Sequence, residues 1–205
     1  MEAVERRQKQ RRAFWTKQLH QWHWISSALS LVGMLLFAIT GITLNNAARI
    51  EALPVVTRAE AVLPGPMLTT LEADRPLSPA LRDWLSAELD VSMESGKPEW
   101  SEDELYLSLP RPGGDAWLSI DRESGAVEYE RTDRGVIAYL NDLHKGRHTG
   151  TAWSWFIDLF SGACVVFCLT GLFLLYLHGR HRPATWPVVG AGLVIPLLLA
   201  IFLIH

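Results

Sequence analysis

Residues 19–46 read LHQWHWISSALSLVGMLLFAITGITLNN, and from Trp24 to Leu44 the stretch carries no charge. At a rise of about 1.5 Å per residue, roughly 20 apolar residues cross the ~30 Å hydrocarbon core of a bilayer as one helix. The stretch is therefore expected to span a membrane. Trp22 and Trp24 suit its mouth, because an amphipathic indole settles at headgroup depth. His20 and His23 alternate with them, and imidazoles at such a mouth invite a second explanation.

Two further segments meet the same length. Trp153 to Leu177 contains one charge, Asp158, and Trp186 to Ile204 contains none before the chain reaches His205. With 205 residues, 49% hydrophobic and 20% charged, the chain is too apolar for an average soluble domain and too charged for a pure bundle. Spans plus one water-facing module are expected. RRQKQRR (6–12) and Lys17 precede the first span, and HGRHR (178–182) lies between the second and third. Residues 46–150 hold 11 Lys and Arg against 19 Asp and Glu, a net charge of −8. Basic flanks stay on the cytoplasmic side, so the N-terminus is expected there, with the acidic segment and the C-terminus opposite. The first apolar run exceeds the roughly 7–15 residues of a signal-peptide core and is expected to be retained as an anchor. The expected location is a bacterial inner membrane, with a multi-pass chain and a periplasmic C-terminus.

Between the first two spans the pattern changes. PVVTRAEAVLPGPM (54–67), with prolines 54, 64 and 66, reads as an extended linker. SPALRDWLSAELD (78–90) reads as a helix, capped by Ser78 with Pro79 in its first turn, and Leu81, Trp84, Leu85 and Leu89 fall on one stripe. The alternating runs ELYLSLP, AWLSID and AVEYER, separated by RPGGD and DRESG, predict an antiparallel meander. A second amphipathic helix is expected around 135–144. No internal repeat stands out. Together these features predict three transmembrane helices with an extracytoplasmic α+β domain. The segments are 1–45 (basic N-terminus and first span), 46–150 (the domain with its linkers), 151–182 (second span and basic loop) and 183–205 (third span). The domain shows no Ser–His–Asp or Cys–His arrangement and no phosphate loop, so no catalytic residue is assigned and a docking or sensing module is expected. Its acidity disfavours nucleic acid. Cys164 and Cys168 share a helix face inside the second span, where packing is their default use.

All seven histidines fall near one membrane interface or the other. His20, His23, His178 and His181 lie on the expected cytoplasmic side; His144, His148 and His205 lie on the outer side. Imidazole is the commonest transition-metal ligand, and haem iron needs only one or two axial groups. The first two spans run in opposite directions, so His20 or His23 can face His178 or His181. Ser26, Ser27, Ser30, Gly33, Gly162, Ala163 and Gly171 leave room beside them, although small residues also serve plain helix packing. His144 and His148 both face inward if one helix continues through them, whereas Gly146 and Gly150 favour a break that leaves one. Asp158 can pair with a histidine or line a water-facing pocket. The plainer reading, in which histidine and tryptophan are interfacial anchors, stays open at each single position.

The motifs resemble those of PepSY-associated transmembrane proteins. The resemblance lies in Leu19, His20, Trp22, Thr40 and Gly41 of the first span, His144, Gly146 and Gly150 in LHKGRHTG, and Thr170, Gly171 and Leu172 closing the second. LSIDRESGAVEYE resembles the strand–turn–strand of a PepSY domain. The likeness runs from about Lys17 to Arg182. It implies a conduit of b-type haem, one or two per chain, with His20 and His144 as the ligands that match family motifs. With only three spans, a full ligand set draws also on His178, His205 or a second subunit. Expected haem-iron ligands are His20, His144 and His178, with His23, His148 and His205 also cofactor-binding.

Two functions are carried forward. The first is an integral membrane haem protein, a reductase or electron-transfer subunit, passing electrons to an extracytoplasmic acceptor such as a flavin-carrying or metal-reducing partner. The second is a non-redox accessory protein whose PepSY-like domain binds a peptidase or metal-uptake component. Membrane lipid and a homo- or hetero-oligomer are expected in either case.

Overall fold

The computed structural model describes residues 2–51, 53–69, 71, 76–91, 93, 96–179 and 182–204. The expected site His205, and His181, lie outside the described residues. The chain forms two units, Met1–Leu35 with Phe156–His205, and Leu36–Trp155. Helix α1 (Glu2–Asn45) is followed by a short 3-10 turn (Ala47–Arg49), strand β1 (Val55–Val62) and helices α2 (Gly65–Leu68) and α3 (Pro79–Leu89). Strands β2 (Lys97–Trp100), β3 (Glu104–Ser108), β4 (Gly114–Asp121) and β5 (Ala126–Asp133) come next. Helices α4 (Val136–Lys145), α5 (Gly150–His178) and α6 (Thr185–Leu203) complete the chain.

The middle unit holds a five-stranded antiparallel sheet in the order β1-β5-β4-β3-β2. The expected meander is β3–β4–β5. Its alternation puts Leu105 and Leu107 on the same face as their partners Ile120 and Leu118, which in turn face Val127 and Tyr129. Helix α3 covers this face. Ser78 caps it by accepting the Leu81 amide at 3.2 Å, and Leu81, Leu85 and Leu89 bury their stripe in the same cluster. Each such leucine or isoleucine contributes about 1.5–3 kcal/mol on burial.

Two strands depart from expectation. Residues 55–62 are not a linker: β1 pairs along its whole length with β5, and the prolines that suggested a linker, Pro54 and Pro64, lie just outside it. Only Ala59 and Ala61 turn toward the core, against Tyr129 and Val127. Two small residues give too weak an apolar alternation to read as a strand. Strand β2, KPEW, is short and contains Pro98, which an edge strand tolerates.

At the β4–β5 turn, the Asp121 carboxylate accepts the Ser124 hydroxyl and amide, each at 2.6 Å, and the Glu123 amide at 3.1 Å. These bonds, the Ser124 hydroxyl foremost, hold the carboxyl below its ordinary range of about 3.8. A depressed folded-state value adds stability that is present above the unfolded value and is lost as pH falls through the folded one. Thermal melts of the full chain in detergent are expected to show the wild type losing more stability than Asp121→Asn below about pH 4. Parallel acid limbs would remove the turn from this account.

The other unit is packed the opposite way. Three helices are long and apolar enough to cross a membrane: α1 from Ala3, α5 and α6. Their large apolar side chains face outward, with Leu29 69% and Phe173 58% exposed, while Ser30 is 0% and Thr170 8% exposed. Small polar groups inside and leucine outside is a stable arrangement only where the surrounding solvent is lipid. α1 begins well before its apolar run because the basic segment is made of good helix formers with no glycine or proline. α1 and α5 are antiparallel: His20 meets His178, His23 meets Thr170, and Gly33 meets Phe160.

Candidate histidine sites

In the apolar unit, the His20 and His178 rings stand edge to face with centroids 5.7 Å apart and planes at 83°. Each Nδ1 donates to the carbonyl one turn back on its own helix, His20 to Thr16 at 2.8 Å and His178 to Leu174 at 3.0 Å. A carbonyl can only accept, so each Nδ1 carries a proton, and no described residue bonds either Nε2. His23 is half-buried. It stacks on Phe167 with centroids 4.8 Å apart and places Nδ1 3.0 Å from Thr170 Oγ1. A Cβ at Gly171 would stand 3.3 Å from the His23 ring, so the glycine lets the imidazole lie close to α5. A cavity of about 550 Å³ is lined by His23, Gly171, Leu174, His178 and Arg182, among others.

In the sheet unit, α4 ends at Lys145 and Gly146 turns left-handed at φ 65. The break leaves His144 on the helix and His148 exposed, itself at φ 57. Only one of this pair is therefore held. His144 Nδ1 lies 2.7 Å from Thr40 Oγ1, and its ring packs on Phe37 with centroids 5.0 Å apart. A Cβ at Gly41 would stand 3.5 Å from the ring. One helical turn away, Thr43 donates to buried Asn141 at 2.9 Å, and Trp153 Nε1 donates to the Leu143 carbonyl at 2.9 Å. Asp142, next to Asn141, accepts the Gly113 amide of the β3–β4 turn at 2.9 Å.

The expected residues thus divide. His20, His23 and His178 come together in one unit; His144 is held in the other; His148 is held by nothing described. Asp158 is exposed on α5 and pairs with no histidine among the described residues. Cys164 and Cys168 are free thiols. No three His, Cys, Asp or Glu side chains among the described residues converge as a closed metal cage. Haem asks for less, one or two axial imidazoles beside an apolar slot; around its cavity the apolar unit sets two imidazoles, His23 and His178, beside Leu174 and Leu175.

The two threonines were absent from the expected site, and so was a short repeat that carries them: FAITG at 37–41 and FCLTG at 167–171. The signal was Phe-x-x-Thr-Gly near the end of two spans. Apolar helices closed around buried hydroxyls, joined to a sheet domain and bearing held histidines, define a membrane protein with a water-facing α+β module. The chain belongs to the PepSY_TM-like family, whose model matches residues 14–205. No curated protein and no solved structure matches it.

Proposed function

We propose that this protein is an electron carrier of the bacterial inner membrane that holds b-type haem through histidine Nε2 atoms. The observation that carries the reading is shared by His20, His23, His144 and His178. Each engages Nδ1 in a hydrogen bond, and none engages Nε2 with any described residue. A histidine kept only as an interfacial anchor has no need to spare the same nitrogen four times.

In this reading His20, His23 and His178 serve a cytoplasmic-side haem, and Leu174 and Leu175 of the cavity wall exclude water from it. Arg182, on the same cavity, offers a cation for the carboxylates of the macrocycle. His144 supplies an axial position on the outer side. The bound haem supplies the one-electron chemistry. The chain's part is to fix the ligating nitrogens and to present the sheet unit to an extracytoplasmic acceptor. The basic flanks orient the N-terminus inward and the acidic unit outward.

Oxidised and chemically reduced absorbance spectra of the protein, purified in mild detergent, test the reading. A haem spectrum whose reduced form shows the sharp bands of paired axial imidazoles is expected. Haem-free protein from haem-replete cells would sink it and leave the spans as an anchor for the sheet unit.

A further inference from the structure

The two Phe-x-x-Thr-Gly segments are used alike. In each, the threonine hydroxyl reaches carbonyls of its own helix: Thr40 to Leu36 at 2.9 Å and Phe37 at 3.2 Å, Thr170 to Val166 at 2.7 Å and Phe167 at 3.0 Å. A hydroxyl proton used in this back-bonding leaves the oxygen to accept from the histidine. In each, the phenylalanine one turn earlier packs on the imidazole, and the following glycine lies beside the ring edge, where a Cβ would stand 3.3 Å from it at Gly171 and 3.5 Å at Gly41. The two histidines come from different contexts, His23 from within α1 and His144 from the end of α4. Nothing in ordinary helix packing requires both to meet the same five-residue cradle.

We infer that Thr170 and Thr40 are positioning residues that lock His23 and His144 as Nδ1–H tautomers, and that these two cradled imidazoles are the fixed axial ligands, one in each unit. His20 and His178 are exposed and bonded only to their own helices. They are freer to turn than His23, whose ring is gripped on one face and at Nδ1. His178 lines the same cavity as His23 and supplies the second position there. A partner on Nδ1 orients a ligating imidazole and raises its basicity, and losing such a partner typically costs roughly 10–100-fold in metal affinity.

The inference rests on the haem reading, and two measurements keep them apart. On haem-loaded protein, Thr170→Val is expected to weaken haem retention about tenfold or more at one site and shift its midpoint potential, with Thr40→Val acting on the other. Thr→Ser at either position is expected to restore both quantities, because serine keeps the hydroxyl and valine keeps only the shape. Unchanged retention and potential in both valine variants would overturn the cradles while leaving the haem reading intact. If the purified protein carries no haem, the haem reading falls, and 15N shifts of labelled histidine decide the cradles alone. Nδ1–H at His23 and His144, lost in the valine variants, supports them; Nε2–H in the wild type overturns them.

Discussion

Protein in which His23 and His144 are both replaced by alanine is expected to be purified without haem, while each single variant retains the haem of the other unit, about half the total. An axial bond is the strongest hold a protein has on a b-type macrocycle, which has no covalent link to the chain. His23→Ala also removes the ring stacked on Phe167 and leaves the Thr170 hydroxyl without its imidazole partner. His148→Ala is the control, since that side chain is exposed and held by nothing described. Circular dichroism of each variant separates ligand loss from unfolding. Haem at the wild-type level in the folded double variant would place the ligands elsewhere.

Gly33→Leu is expected to have the second-largest effect. A Cβ at Gly33 would stand 2.3 Å from Cε2 of Phe160, well inside contact distance, so α1 and α5 must separate or the phenyl ring must leave. Overpacking of a tight contact costs about 1–3 kcal/mol, and here the strain falls on the helix pair that brings His23 to Thr170. A lowered melting temperature in detergent and reduced haem content should appear together. Phe160→Ala in the same chain should recover much of both, as coupled neighbours do in a double-mutant cycle. Simple additivity of the two losses would show that the contact is not where the helices are held.

The membrane segments were legible because length without charge is a strong signal in one dimension. The beginning of α1 was not, since a helix continues through the interface as long as its residues favour helix, whatever the solvent. α3 announced itself through Ser78, Pro79 and the leucine stripe. β1 did not, because a strand at the sheet edge needs only Ala59 and Ala61 inside. The histidines could be sorted to the ends of the spans, and the Gly146 break foreseen, but partner choice depends on helix rotation. Thr40 and Thr170 were least visible of all. A threonine in an apolar helix normally bonds back to its own carbonyls, as both of these do, so only the repeated Phe-x-x-Thr-Gly hinted that each also meets a histidine.

Asn141 and Asp142 are adjacent on α4, yet one is bonded to Thr43 of α1 and the other to the Gly113 amide of the β3–β4 turn. Gly113 needs its left-handed φ of 76, and any Cβ there would stand 2.8 Å from Tyr139 Cα, so the turn is seated directly on the α4 backbone. In hydrogen-exchange terms, the Gly113 amide is protected by a carboxylate carried on the helix that presents His144. Unfolding of α4 would therefore expose that amide and release the imidazole from Thr40 together. A partner that stabilises α4 would slow exchange at Gly113 and hold the His144 ring in place at once.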